Sequence, residues 1–265
     1  RAHAEALDIA HGSMFAHEAN IIGGSELETL KDADMIIITA GARQEPNQPR
    51  MELAGANVRI LEKLLPDLMS VAPGAIYMLV TNPCDVLTVV TQKITGLPAN
   101  RVLSSGTVLD SSRLRWLIAA KAGVSIKSVH ANIVGEHGDS EFAIWSTANV
   151  GSQPINKLLK KSELDKIEED TKLAAYKIIE KKGATYYGIG ACVTSIVNCI
   201  FNDERRVLPV STYDAYTDTF FGFPSVVGRR GVVRRLDTEL SEDEELKLQS
   251  SINIIKKAID SIPTK

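Results

Sequence analysis

The sequence predicts an α/β protein in which a doubly wound parallel sheet is followed by a second, α+β unit. Two short apolar runs, 35–39 and 76–80, each end at a glycine or polar residue, as buried parallel strands do. Between them, residues 51–69 carry apolar side chains at helical spacing, which gives the order strand, loop, helix, strand. The pattern changes after Gly106, where we place the domain boundary.

The second domain, residues 107–265, is predicted from helical spacing and strand alternation. The predicted helices are 109–121, 156–182, 186–202 and 241–262, and the predicted strands are 129–134, 142–146, 207–211 and 232–236. Gly183 is placed as the C-terminal cap of the long helix, and Ser241 with Glu244 has the spacing of a capping box. Residues 1–106 form the first domain.

The composition is that of a globular protein that acts on small molecules. The chain has 265 residues, of which 44% are hydrophobic and 24% charged, so it can bury a large core. A net charge of -3 with mixed signs offers no continuous basic face for nucleic acid and no polybasic block for a membrane surface. No apolar run approaches the roughly 18 residues needed to span a bilayer, and no signal-peptide pattern opens the chain. We therefore expect a cytoplasmic protein.

Three cysteines and the histidines give no sign of a metal centre. Cys84, Cys192 and Cys199 are too few and too badly spaced for a disulfide framework or a zinc cluster, and we predict reduced thiols. No set of histidines has the spacing of metal ligands.

The segment Gly135-Glu136-His137-Gly138-Asp139-Ser140 sets a histidine between two glycines. Glycines offer no side chains to surround it and let backbone or ligand approach closely, so a structural core histidine is the less favoured interpretation. Asp110 and Arg113, three residues apart, share one face of a predicted helix and offer a carboxylate and a guanidinium to the same cavity. The sequence thus predicts an acid–base site with an anion clamp. Taken alone, Asp110 would more often be a helix-start residue that favours the helix dipole, and Arg113 a solvated helix arginine.

Together with four further segments, this motif resembles the L-lactate/malate dehydrogenases, NAD-dependent oxidoreductases of small 2-hydroxy acids, and within them the bacterial-type L-lactate dehydrogenases. The segments are 36–44, 81–85, 106–110 and 182–187. Each is weak alone, but together and in this order they are specific. The resemblance implies a Rossmann-type doubly wound sheet followed by an α+β catalytic domain, with NAD as cofactor. It also implies interconversion of L-lactate and pyruvate by a cytoplasmic homotetramer, in glycolysis and pyruvate fermentation.

The start of the chain resembles a helix from well inside this family. In relatives a strand, a glycine-rich turn, a helix and a second strand precede that helix, and the G-x-G-x-x-G fingerprint of the turn does not occur in this sequence. We therefore expect the first βαβ unit to be missing, one sheet edge to be exposed and NAD to bind poorly to these residues.

The resemblance implies the catalytic roles. His137 takes up and returns the proton of the substrate hydroxyl, and Asp110 holds its far ring nitrogen. Arg113 clamps the substrate carboxylate. Arg50 ends a polar loop, 43–50, that closes over the substrate, and it polarises the reacting carbonyl.

Three further residues are implied to line the substrate pocket. Gln44 stands where malate enzymes carry an arginine for a second carboxylate, which favours lactate over malate. Asn82 meets both nicotinamide and substrate, and the Asn82-Pro83 bond is either cis or the more common trans turn. Thr185 lines the pocket, although without the resemblance it would be interpreted as a helix-start cap. The implied cofactor-binding residues are Thr39, Gly41, Ala42, Arg43, Val80, Thr81, Asn82 and Ser105.

Arg115 and His130 match two positions that, in bacterial relatives, bind the phosphates of fructose 1,6-bisphosphate across a subunit interface. Both side chains can carry the positive charge that phosphate binding requires. Two alternatives to an L-lactate dehydrogenase stay open at this point. One is a malate dehydrogenase, and the other is a truncated, non-catalytic member that keeps the fold for assembly.

Overall fold

The structure is a computed structural model that describes residues 1–16, 18–42 and 53–262. Its first helix is α1 (Ala2–His11), followed by strand β1 (Met35–Ile38), helix α2 (Ala54–Val71) and strand β2 (Ile76–Leu79). β1 and β2 pair in parallel, with Met35 opposite Ile76. The predicted strand–helix–strand unit is confirmed.

Helix α3 (Cys84–Thr95) and strand β3 (Val102–Ser104) come next, and the sequence predicted neither. α3 is rich in valine and threonine, which favour strands, and most of its residues are buried, so it has no broad polar face to reveal a helical period. It ends at Gly96, which adopts the left-handed conformation (φ 64°). β3 pairs in parallel with β2 and completes a three-stranded parallel sheet.

The following segment alternates helices with very short strands. Helix α4 (Val108–Ala122) leads into β4 (Val129–His130), β5 (Ile133–Val134), β6 (Phe142–Ala143), β7 (Asn149–Val150) and β8 (Gln153–Pro154). Helices α5 (Lys161–Lys182) and α6 (Tyr187–Phe201) then form an adjacent pair. The predicted strands 129–134 and 142–146 are thus shorter than expected, and α5 begins five residues later than predicted. Its delayed start reflects a single 3-10 turn, Ile155–Lys157.

The last segment is a run of antiparallel strands and one helix. The strands are β9 (Arg206–Leu208), β10 (Ser211–Asp214), β11 (Thr219–Gly222), β12 (Ser225–Gly228) and β13 (Gly231–Arg235), and the helix is α7 (Glu242–Asp260). The predicted strand 207–211 is in fact the end of β9 and the start of β10, separated at Pro209, which has no N–H to continue a ladder. β11 and β12 were not predicted.

The main sheet joins both halves of the chain. Its order is β1-β2-β3-β10-β11, and β10 pairs antiparallel with β3 where Ser211 faces Ser104. One face packs on α2 through residues such as Tyr77 and Leu79, and the other packs on α6 through Ile76 and Met78. The predicted α/β class, a parallel sheet followed by an α+β unit, is confirmed.

Glu244 docks the last helix onto the turn between β6 and β7. It is 4% exposed, and its carboxylate accepts the Ser146 N–H at 3.0 Å and the Ser146 hydroxyl at 2.6 Å. It also accepts the Ser241 N–H at 2.9 Å, while the Ser241 hydroxyl accepts the Glu244 N–H, so the predicted capping box is confirmed. Within the described part of the chain, no helix is long and apolar enough to cross a membrane.

We expect Glu244→Gln to lower the free energy of unfolding by about 1–3 kcal/mol at pH 7, because an amide NH2 cannot accept the N–H groups that the carboxylate accepts. Burial raises the pKa of Glu244, but hydrogen bonds from Ser146 and Ser241 outweigh it and hold that pKa below its ordinary value. This stabilisation is present above the pKa of the unfolded chain and is lost as pH falls through the folded pKa.

Urea titrations of wild-type protein and Glu244→Gln between pH 7 and pH 3 measure the effect. The difference in stability should shrink toward acidic pH, and the exposed neighbour Glu245→Gln should behave like wild type. An equal loss of stability at all pH values would contradict the assignment.

Candidate active site

A cavity of about 630 Å³ opens beyond the carboxyl ends of the three parallel strands. Thr39, Val80 and Ser105 follow β1, β2 and β3 directly, and all three line it. This is where ligands bind in doubly wound sheets, and the volume suits a small molecule beside part of a larger one. Helices α5 and α6 close the opposite side. The cavity-lining residues from α4 onward are Leu109, Arg113, His137, Ala175, Ile179, Thr185, Tyr186, Ile189, Gly190 and Val193.

His137, Asp110 and Arg113 form one connected cluster at this cavity. The Asp110 carboxylate, 2% exposed, has one oxygen 2.7 Å from His137 Nδ1 and the other 2.7 Å from Arg113 Nη1. With Nδ1–H donating to the carboxylate, the imidazole has its basic lone pair on Nε2. The ion pair uses one Arg113 nitrogen, and a guanidinium carries five N–H donors. The cluster can therefore move a proton beside a fixed positive charge.

A second carboxylate lies close to the same imidazole. Glu141 Oε2 is 3.7 Å from His137 Nδ1, and this side chain is also buried. The ligand-type atoms of Asp110, His137 and Glu141 lie within 4.8 Å of one another, a spacing that a cation could also use. The negative surroundings favour the protonated imidazole.

Asp85, in the first turn of α3, holds the backbone of His137. Its carboxylate accepts the His137 N–H at 2.7 Å and is 2% exposed. Burial raises the pKa of Asp85 to about 6, although the Ser211 hydroxyl, the His137 N–H and the His137 charge oppose the shift. Asp85 is thus a buried carboxylate within reach of titration near neutral pH.

The loops that follow β1 and β2 are joined by one buried side chain. Asn57 on α2, 1% exposed, accepts the Ala42 N–H at 2.7 Å and donates to the Asn82 carbonyl at 2.7 Å. Thr81 donates to the Ala40 carbonyl at 2.8 Å, and a Cβ on Gly41 would collide with the Thr81 methyl group. These contacts bring the two loops into close, fixed contact behind the cavity.

Asn82 has features expected of a ligand-binding side chain. It lines the cavity, and its Oδ1 is buried without a hydrogen-bond partner among the described residues. The Asn82-Pro83 bond is cis, which was one of the two expectations. A buried acceptor without a partner is costly unless a ligand supplies the donor.

The structure brings seven predicted site residues together at the cavity: Thr39, Val80, Asn82, Ser105, Arg113, His137 and Thr185. Asp110 lies directly behind them, and Gly41, Ala42 and Thr81 lie in the loops that shape the floor. Arg43, Gln44 and Arg50 lie outside the described residues.

Arg115 and His130 lie apart from the residues that line this cavity. Arg115 donates to the Ala131 carbonyl at 2.7 Å and to Asn132 Oδ1 at 2.8 Å, which places its guanidinium beside the strand end that carries the exposed His130. Burial, and then the nearby Arg206, lower the pKa of Arg115. Two guanidinium groups close enough to repel each other create a positive potential there.

Sequence reasoning missed several residues of the site. Tyr186, Ile189, Gly190 and Val193 follow helical spacing along α6 and form one wall of the cavity, so their period was a usable signal. The role of Asn57 depends on contacts between segments 15 and 25 residues apart, and that of Glu141 on how the His137 loop folds back on itself, so no local pattern marks either residue.

Family models match nearly the whole chain. The model described as lactate/malate dehydrogenase, NAD binding domain, matches residues 1–104, and the lactate/malate dehydrogenase alpha/beta C-terminal domain matches residues 107–265. An L-lactate dehydrogenase of Bifidobacterium animalis subsp. lactis is 43% identical over 97% of this chain and 84% of its own length. One from Kosmotoga olearia is 44% identical over 98% of this chain and 85% of its own length.

Solved structures agree with these relatives. A lactate dehydrogenase enzyme from a deep-sea metagenome library of the Medee basin superposes with a TM-score of 0.92 at 37% identity, covering 97% of this chain and 86% of the other. The minor L-lactate dehydrogenase of Enterococcus mundtii, in a ligand-bound form, gives a TM-score of 0.92 at 38% identity, covering 99% and 87%.

Proposed function

The chain belongs to the lactate/malate dehydrogenase family, and we propose that its cavity carries out the L-lactate dehydrogenase reaction, the NAD-dependent interconversion of L-lactate and pyruvate. The observation that carries this proposal is the His137–Asp110–Arg113 cluster at the carboxyl ends of a parallel sheet. Oxidising a 2-hydroxy acid requires a base for the hydroxyl proton and a cation for the carboxylate, and the cluster offers both.

The residues present fit a nicotinamide cofactor. Val80, Leu109 and Ile189 give the cavity apolar walls that suit a flat ring, and the unpartnered Asn82 Oδ1 can accept a hydrogen bond at its polar edge. Thr39 and Ser105 at the strand ends would contact the same group. When bound, this cofactor would supply the hydride acceptor for lactate oxidation, as NAD, and the hydride donor for pyruvate reduction, as NADH.

His137 moves the proton that accompanies this reaction. In lactate oxidation its Nε2 accepts the hydroxyl proton, and in pyruvate reduction the imidazolium donates it to the carbonyl oxygen. Asp110 fixes the tautomer through Nδ1 and stabilises the imidazolium charge. Arg113 binds the substrate carboxylate beside them, and its own orientation is fixed by Asp110.

The remaining roles are those that the resemblance to the family implies. Arg50 polarises the carbonyl when its loop closes, Gln44 selects a methyl group over a second carboxylate, and Arg43 contacts the cofactor. Thr185 lines the substrate end of the cavity. Gly106 stays our proposed boundary between the cofactor domain, 1–106, and the catalytic domain, 107–265.

We also propose regulation and assembly. The positive potential at Arg115, beside His130, supports a site for the phosphates of fructose 1,6-bisphosphate between subunits of a homotetramer. The buried thiols of Cys192 and Cys199 suit a reducing compartment, which supports a cytoplasmic location and a role in glycolysis and pyruvate fermentation.

His137→Asn should lower kcat for pyruvate reduction by about 10²- to 10⁴-fold, the usual contribution of general acid–base catalysis. NADH affinity, measured by fluorescence titration, should be unchanged because the amide keeps the polar surface of the cavity. The exposed His3→Asn serves as the matched control. Turnover retained in His137→Asn would contradict the acid–base role.

The wild-type protein should oxidise NADH faster with pyruvate than with oxaloacetate, and Gln44→Arg should shift this preference toward oxaloacetate by at least about tenfold, since a new ion pair worth 1.4 kcal/mol has that effect. Steady-state kcat/KM for the two acids measures it. A wild-type preference for oxaloacetate would make the protein a malate dehydrogenase. Turnover of neither acid would favour the non-catalytic member.

Fructose 1,6-bisphosphate should lower the KM for pyruvate in the wild-type protein, and Arg115→Gln should remove the response because phosphate loses its guanidinium partner. Lys127→Gln, which removes an exposed cation in the turn just before His130, should respond like wild type. An unchanged KM across the titration of the wild-type protein would end the effector proposal.

A further inference from the structure

The loop that carries His137, residues 135–141, has little regular secondary structure, yet its backbone is held by three separate elements. Gly135 exchanges two hydrogen bonds of 2.9 Å with Gly222 on β11. The next amide, of Glu136, donates to Ser251 on α7, and the amide of His137 donates to Asp85 on α3. Each is a buried or partly buried amide, which needs a partner.

Ser251 holds this loop on both sides of the histidine. It is fully buried, and its Oγ accepts the Glu136 N–H at 2.7 Å and lies 3.0 Å from Ser140 Oγ. The Ser140 hydroxyl donates to the Glu136 carboxylate, so its oxygen is left to accept the Ser251 hydroxyl proton. One hydroxyl therefore joins residues 136 and 140.

Helix α7 approaches the loop so closely at residue 135 that only a glycine fits there. Gly135 has φ 92°, and a Cβ there would lie 2.5 Å from Ser251 Oγ. The neighbouring helix residue, Ser250, is exposed. Ser250 therefore offers a matched control on the same helix that takes no part in this contact.

We propose that Ser251 is a positioning residue for His137, because its hydroxyl fixes the 135–141 loop so that the imidazole stays on Asp110 within the cavity. This inference rests on the proposed dehydrogenase function. Ser251 contacts neither substrate nor reacting atoms. It acts through the Glu136 amide and Ser140, four residues apart with His137 between them.

The charges around His137 determine how a displacement of its imidazole would change the pH dependence of activity. Asp110 and Glu141 lie 2.7 Å and 3.7 Å from Nδ1, Asp85 bonds the backbone, and Arg113 neutralises part of the Asp110 charge. The carboxylates stabilise the imidazolium, which is the form required to reduce pyruvate. A displaced imidazole loses that stabilisation and gives up its proton more easily. As pH rises, the activity should therefore begin to decline at a lower pH than in the wild-type protein.

The test compares Ser251→Ala with Ser250→Ala in the complete protein. We expect Ser251→Ala to lower kcat for pyruvate reduction about ten- to a hundredfold, as displacement of a catalytic group does, with a smaller change in KM. The alkaline limb of its kcat/KM profile should move to lower pH. Hydrogen exchange of the 135–141 amides should become faster. Ser250→Ala should match wild type in all three.

A wild-type kcat and pH profile in Ser251→Ala would overturn the proposal. So would a fall in activity that tracks lost folded protein and leaves the pH limb in place, since that indicates a structural role alone. If Ser251→Ala does not fold, Ser251→Cys, with weaker hydrogen bonds, is read by the same criteria. If the wild-type protein reduces neither pyruvate nor oxaloacetate, the proposed function fails. Hydrogen exchange of the 135–141 amides in Ser251→Ala then tests, independently of activity, whether Ser251 holds the loop.

Discussion

The site depends on the buried carboxylate of Asp110. An unpaired carboxylate in that position would cost several kcal/mol, so the fold must supply partners, and it supplies Arg113 on one oxygen and His137 on the other. The proton-transferring group and the anion-binding group are thus fixed relative to each other through a single side chain. Asp110 lies in the first turn of α4, where the helix dipole also favours a negative charge, and α4 starts just beyond β3. The position of the end of β3 therefore determines where Asp110, and with it the proton-transferring and anion-binding groups, are placed.

His137 itself lies in a loop, and hydrogen bonds to other elements hold the backbone of that loop in place. β11, α3 and α7 each bond a successive amide through Gly222, Asp85 and Ser251. Each of the two glycines is required for a different steric reason. A Cβ on Gly135 would collide with Ser251, and a Cβ on Gly138 would collide with the Glu136 carboxylate that folds back to bond Ser140. A histidine in a loop thereby keeps a defined position while still lining a cavity that ligands can enter.

Local patterns in the sequence were enough for the parts of the fold that have a clear period. The strand–helix–strand unit and α4 to α7 were predictable because each has an apolar face or a capping signal. α3 was missed because it is buried nearly all round, and β11 and most of β10 because their pairing depends on contacts with β3 and Gly135, far away in the chain. The same limit applied to the site. His137, Asp110 and Arg113 carry local motifs, whereas Asn57, Glu141 and Ser251 gain their roles only from neighbours 15 to 115 residues distant, or from the folding back of a loop.

The pairing of β3 with β10 has a consequence for how the protein is assembled during synthesis. β3 is synthesised before β10, and the edge of β3 that pairs with β10 stays uncovered until Ser211 arrives, more than a hundred residues later. A nascent chain that stops between them presents an apolar strand edge, which other chains can pair with. The long interval between these strands thus makes the unfinished chain vulnerable to misassociation, and chaperone protection would be needed most during that interval.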